Sequence, residues 1–245
     1  MVGKGVVVVS GGGRGIGRGV CVRFAAAGYG VVFGARSGDE LQETSRLVDR
    51  AGGLGVAIPC DVRRADDVAA MVKAAVGRFG RIDVLVNCAG IAPLAGIDDL
   101  DPQTFDDLWA INVKGVYETC RRAWPVMRAQ GGGVIVNVSS VASADPFPGF
   151  AAYGASKAWV NLWSKGLAEE GRPHGIRVFS VAPGAVETQM LRSAFPSFPA
   201  DQCLQPADVA KLIHELTQPE CRYHSGETIF IRREGNKITE KRSVS

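Results

Sequence analysis

No two cysteines of this 245-residue chain stand at a metal-ligand or redox spacing, and its three histidines, His174, His214 and His224, are dispersed. That excludes the usual zinc patterns and a thiol-redox motif, so no metal is expected. The six cysteines, Cys21, Cys60, Cys88, Cys120, Cys203 and Cys221, suit a reducing compartment better than a disulfide framework. No apolar run approaches a membrane span, and Val6–Val9 is too short for a signal-peptide core. The expectation is a soluble, cytoplasmic protein with no membrane partner. Net charge is scarce too: 28 basic against 25 acidic residues leave +3, all of it supplied by residues 232–245. A near-neutral body gives nucleic acid no footprint, and the charged stretch at 232–245 reads as a solvated tail. Repeats, low-complexity segments and linkers are missing as well, so the chain, 46% hydrophobic, should form one domain over 1–245.

What is present is alternation. Apolar runs near 5–10, 30–34, 55–60, 83–87, 133–138, 175–181 and 227–231 alternate with amphipathic stretches, which argues for an α/β fold with a doubly wound parallel sheet of about seven strands. Val68, Met71, Val72, Ala75, Val76 and Phe79 form a helical stripe that predicts a crossover helix over 65–79. After Val6–Val9 comes Ser10-Gly11-Gly12-Gly13-Arg14-Gly15-Ile16-Gly17. A glycine-rich turn between a strand and a helix offers backbone amides and a helix N-terminus to a dinucleotide pyrophosphate. Ile16, Val20 and Phe24 give the next helix an apolar face, which a merely flexible surface loop would not need.

Tyr153 and Lys157 are four residues apart, which on a helix places a phenol and an ammonium one turn apart on one face. A tyrosine near pKa 10 is a poor base at neutral pH unless a cation stabilises its phenolate. Such pairs are also common on solvated surfaces. Here the strand-like Val134–Val138 leads to Ser140 upstream of the pair. The glycine turn, Asn87-Cys88-Ala89-Gly90, Ser140, Tyr153-x-x-x-Lys157 and Pro183-Gly184 stand in the order found in the short-chain dehydrogenase/reductase family, which the sequence resembles over nearly its whole length.

The resemblance implies a Rossmann-like fold and a nicotinamide cofactor, with Asn112, Ser140, Tyr153 and Lys157 as catalytic residues. By the same resemblance Gly11, Gly13, Arg14, Gly15, Ile16 and Gly17 would take the pyrophosphate. Asp61 and Val62 look like the pair that contacts adenine, although Asp61 also reads as a helix N-cap. Asn87, Ala89 and Gly90 would border the ribose, Tyr153 and Lys157 would meet the nicotinamide riboside, and Pro183, Gly184, Val186 and Thr188 would orient the carboxamide. Asn112 would hold a water beside Lys157. An acid normally ends the second strand of an NAD-specific protein. Ala35 occupies that place here, followed by Arg36 and Ser37, so Arg36 and Arg14 can converge on a 2′-phosphate. NADP(H) is therefore the expected cofactor.

Three departures from the family pattern are visible: Cys88 for a second Asn, Ala182 before Pro183, and Arg232-Arg233-Glu234-Gly235 where many members end a strand in Asp-Gly-Gly. The stretch 189–205, a mobile lid in the family, looks short. Pro146, Phe147, Pro148, Phe150, Met190 and Leu191 should wall the pocket, with no evident Arg or Lys cluster to receive an acid. An apolar small-molecule carbonyl or alcohol substrate is expected, with 3-oxoacyl-[acyl-carrier-protein] reduction as one alternative and a non-catalytic NADP-binding sensor as another. By the same resemblance a helix over roughly 104–130 and one beginning near Tyr153, whose face carries Ala155, Ala158, Trp159, Leu162, Trp163 and Gly166, would pair across a two-fold axis, which implies a homo-oligomer, tetramer or dimer.

Overall fold

The computed structural model describes residues 3–242. The first strand, β1 (Val6–Ser10), shows why the molecule has two layers of helix: Val7 and Val9 face one side, Val6 and Val8 the other, and all four are buried. Helices α1 (Gly15–Ala26), α2 (Gly38–Arg50) and α8 (Pro206–Leu216) cover the first face. Helices α3 (Ala65–Phe79), α5 (Gly115–Ala129) and α6 (Ala151–Gly171) cover the second. The expected boundaries of α3 are matched residue for residue, and Gly80 in the left-handed region ends it.

Eight strands form one sheet in the order β3-β2-β1-β4-β5-β6-β7-β8. The others are β2 (Gly30–Ala35), β3 (Leu54–Pro59), β4 (Val84–Asn87), β5 (Gly133–Val138), β6 (Ile176–Pro183), β7 (Thr228–Glu234) and β8 (Lys237–Arg242). The first seven are parallel. Because the order reverses between β1 and β4, a crevice opens at their carboxyl ends, where such sheets bind ligands.

The expectation of about seven strands is corrected to eight, and the stretch taken for a solvated tail supplies the eighth. Residues 237–242 turn back at Gly235 and pair antiparallel with β7. The mixed charges that read as a solvated tail are those of an edge strand, where charge discourages pairing with another chain. Packing holds it: the Arg222 and Arg242 guanidiniums lie 5.0 and 4.9 Å from the Tyr223 ring centroid, and Glu240 bonds both Arg222 and the Tyr223 hydroxyl.

The helix expected over 104–130 is broken into α4 (Pro102–Trp109), a π-turn at Ala110–Lys114, and α5. The stretch 189–205 contains α7 (Gln189–Ala194) and a short turn at Ala200–Gln202. Arg192 pins it, pairing with Glu187 and donating to the Phe198 carbonyl at 2.6 Å. Among the described residues no helix is long and apolar enough to cross a membrane.

Candidate active site

Two cavities open at the carboxyl edge of the sheet and meet at Ile16, Cys88, Gly90, Thr188 and Met190. The larger, about 1590 Å³, runs along the glycine turn, past Ala35, Arg36, Ser37, Asp61 and Val62, to Ala89 and Gly90. Its glycines are steric necessities at two points. A Cβ on Gly17 would meet the Gly11 carbonyl oxygen at 2.1 Å, and one on Gly11, which is left-handed at φ +70°, would meet the Ala89 amide nitrogen at 2.6 Å. Helix α1 then begins with no side-chain cap and no acid in its first turn, leaving its amides to an anion. The residues present therefore fit a dinucleotide.

Arg14 and Arg36 both line this cleft, but they are not equivalent. Arg14 pairs with Glu40 at 3.2 Å and bonds Gln189 of α7 at 2.5 Å, whereas Arg36 makes no ion pair among the described residues. Glu40 has no counterpart in the sequence reading, yet Ser37-x-x-Glu40 is a helix-start pattern that announces it, and the Ser37 hydroxyl does accept from the Glu40 amide. Asp61 is not the N-cap of α3, a position held by Arg64. Its carboxylate is gripped by Arg63, which holds its pKa below the usual range and itself reaches Asp107 at 3.0 Å. Asn87 does not face the cleft. Its side chain is buried in a network with Ser10, Thr119 and Asn137 that ties β4 to β1, β5 and α5, leaving its successors to line the wall.

The smaller cavity, about 550 Å³, holds Ser140, Tyr153 and Lys157. Ser140 caps a 3₁₀ turn at Val141–Ser143 that follows β5, accepting from the Ala142 amide at 3.2 Å. Helix α6 lies against that turn because residue 154 is glycine: a Cβ there would meet the Ala142 carbonyl oxygen at 2.6 Å. This approach brings Tyr153 to Ser140. Burial pushes the phenol's pKa up, opposed by the Ser140 hydrogen bond. Lys157 donates to the Val138 carbonyl at 2.9 Å, its Nζ 5.9 Å from the Tyr153 ring centroid, and burial lowers its pKa to about 8. At neutral pH the site thus presents a protonated phenol beside an ammonium.

Asn112 sits in the π-turn, completely buried, where its side chain clamps Ile91 through both backbone groups and donates to the Ser156 hydroxyl. Such turns often mark functional positions, and the sequence signal for this one is an asparagine, unfavourable by propensity, within a helical stretch. Asn112 has no direct bond to Lys157. The two share the space above Gly90, where an added Cβ would lie 3.3 Å from Asn112 Oδ1 and 3.5 Å from Lys157 Nζ. Pro183, Gly184, Val186 and Thr188 line the small cavity too. One expectation fails here: Arg232 and Arg233 also line it, so the pocket does contain a basic cluster. The sequence could not place them, because they reach the pocket only through the pairing of β7 with β6.

The sequence pattern of the short chain dehydrogenases matches residues 5–197. The chain belongs to this family. It is 36% identical over 237 residues to 3beta-hydroxysteroid dehydrogenase 1 of Eggerthella lenta, covering 92% of this chain and 91% of that one. Among solved structures it resembles the 3-ketoacyl-(acyl-carrier-protein) reductase of Brucella melitensis complexed with NADH, at TM-score 0.85 and 31% identity over 94% of this chain and 97% of the other. It also resembles ElxO with NADP bound, at TM-score 0.85 and 28% identity over 93% and 97%. This short-chain dehydrogenase is an oxidoreductase of CH–OH and C=O groups that binds a nicotinamide cofactor.

Proposed function

We propose that the protein is an NADP(H)-dependent reductase of a ketone, reversible to the alcohol, with Tyr153 as general acid in the reductive direction. The observation that carries this is the buried, protonated Tyr153 facing the cavity between Ser140 and Lys157. Bound along the glycine turn, the cofactor would supply the hydride. Ser140 would hydrogen-bond the substrate oxygen as charge develops on it, and Tyr153 would give it a proton. Lys157, as ammonium, would stabilise the resulting phenolate and hold the ribose hydroxyls. Asn112 would keep a water above Gly90 through which the proton is restored.

NADP(H) is favoured by Arg36, by the absence of an acid at Ala35, and by Arg14 once a 2′-phosphate displaces Glu40. Reduction of a 3-oxoacyl carrier-protein substrate is a second reading, supported by the likeness to the Brucella melitensis enzyme. The protein is proposed to act in the cytoplasm as a homo-oligomer. Supporting assembly, Leu162 is 73% exposed on α6 beside the exposed Ala155, Ala158 and Gly166, while the stacked pair Trp159 and Trp163 packs inward against the core.

The test is oxidation of NADPH and NADH by purified protein against 3-oxoacyl thioesters, aryl and alicyclic ketones, steroids and sugars. NADPH consumption is expected with ketones of apolar body. Tyr153→Phe should lower turnover by about 10²- to 10⁴-fold while still binding cofactor. Retention of more than a tenth of the rate would refute the assignment, and cofactor binding without any turnover would favour a sensor.

A further inference from the structure

We infer that the substrate pocket contains an anion subsite, built by Arg232 and Arg233, for the carboxylate of a keto acid whose apolar body reaches back to Tyr153. This rests on the reductase reading and names its substrate class. The two arginines occupy successive positions at the carboxyl end of β7, so they project to opposite faces of the sheet, yet both line the same 550 Å³ cavity as Tyr153. They can do so because β7 runs past the end of β6, whose Pro183 pairs with Ile231. The Gly184 amide then bonds the Ile231 carbonyl at 2.8 Å, and the Arg232 stem packs over Gly184.

The two cations differ in how far they are neutralised. Arg232 is exposed and makes no ion pair among the described residues. Arg233 is mostly buried, its Nε has no hydrogen-bond partner, and its terminal nitrogen meets Asp208 only at 3.5 Å. A buried guanidinium donor without a partner is unfavourable. Among the described residues the cavity lining holds three cations, Lys157, Arg232 and Arg233, against one acid, Asp145, on the loop after β5. Much of the remaining lining is apolar. Phe150 lies 5.0 Å from Tyr153 and 4.7 Å from Phe147 between ring centroids, and Phe195 and Phe198 continue the wall. A pocket that combines a reactive phenol, apolar aromatic walls and two arginines selects a ketone with a remote acid group.

The experiment uses a series from 4-oxo-4-phenylbutanoic acid to 7-oxo-7-phenylheptanoic acid, each beside its methyl ester, with NADPH. The acid of optimal length should exceed its ester at least tenfold in kcat/KM, mainly through KM. R232Q, an exposed change that the fold should tolerate, should collapse that ratio at least fivefold, and raised ionic strength should lower it. A ratio near one throughout the series, or a ratio unmoved by R232Q, would overturn the subsite. If neither acid nor ester is turned over, the reductase reading fails for this class of ketone. Calorimetry with the same compounds on protein saturated with NADP⁺ then decides the subsite separately: tighter binding of the acid upholds it, and equal or undetectable binding overturns it.

Discussion

Around the glycine turn the cofactor cleft is shaped by what is missing, since a Cβ on Gly11 or Gly17 would strike backbone atoms. Across Gly90, the smaller cavity is shaped by what is added: four phenylalanines, Met190, Leu191 and two arginines. A wall of backbone is fixed by the fold and accepts one kind of ligand, because its amides point wherever β1 and α1 aim them. A wall of side chains can be exchanged without moving the sheet, so the same scaffold admits different substrates. The difference locates common chemistry in one half of the site and selectivity in the other.

The largest effect that would break this comparison concerns the one selective corner of the cleft. Replacing Ala35 with Asp and Arg36 with Ser should move the NADPH-to-NADH ratio of kcat/KM by about 100-fold toward NADH, the size expected when a bidentate phosphate contact worth about 1.5–3 kcal/mol is lost. Equal use of both cofactors by the unaltered protein would remove the basis for the swap. Next in size, Gly17→Ala should raise the cofactor Kd about tenfold or more and cost about 1–3 kcal/mol in a urea melt, because the Gly11 carbonyl cannot yield freely. Phe198→Ala, on the side-chain wall, should leave cofactor Kd within twofold by calorimetry. Similar losses in both variants would mean that the two halves are not separable.

A smaller effect follows from Lys157. Its pKa is depressed to about 8 by burial, so the ammonium is present below that pH and is lost as pH rises through it. Tyr153, raised by burial, keeps its proton over the same range. The kcat/KM for the cofactor should therefore be level at pH 6.5–7.5 and fall about tenfold per unit above pH 8, and a level profile to pH 9.5 would contradict the role given to Lys157. The smallest effect is at Glu40. Glu40→Gln frees Arg14 of its exposed ion partner and should improve NADPH affinity by about two- to fivefold, as for a surface pair worth under 1 kcal/mol, with no change for NADH.

The backbone half was the legible half. Alternating apolar runs, the glycine turn and the 65–79 stripe report local rules that the chain carries wherever it folds. Tyr153 and Lys157 were visible for the same reason, their spacing being a property of one helix. What stayed hidden depends on distant partners. Asn112 signals an irregularity in its helix but not the π-turn that buries it, and Gly154 is decisive only because the Ala142 carbonyl comes to meet it. Asn87 looked like a cleft residue and proved to be a core hydrogen-bond hub, since its neighbours on β1 and β5 cannot be known before the strands are ordered. Arg232 and Arg233 looked like part of a tail until β8 showed that β7 continues past them.

That last strand has a practical meaning. Through the antiparallel ladder, Arg232 is opposite Thr239 and Arg233 opposite Ile238, so the pocket's cations are braced by the chain's final described segment. β8 ends opposite Ile229, at the amino end of β7, so a tag fused beyond residue 242 starts away from the cavity and pulls on its wall only through the hairpin ladder.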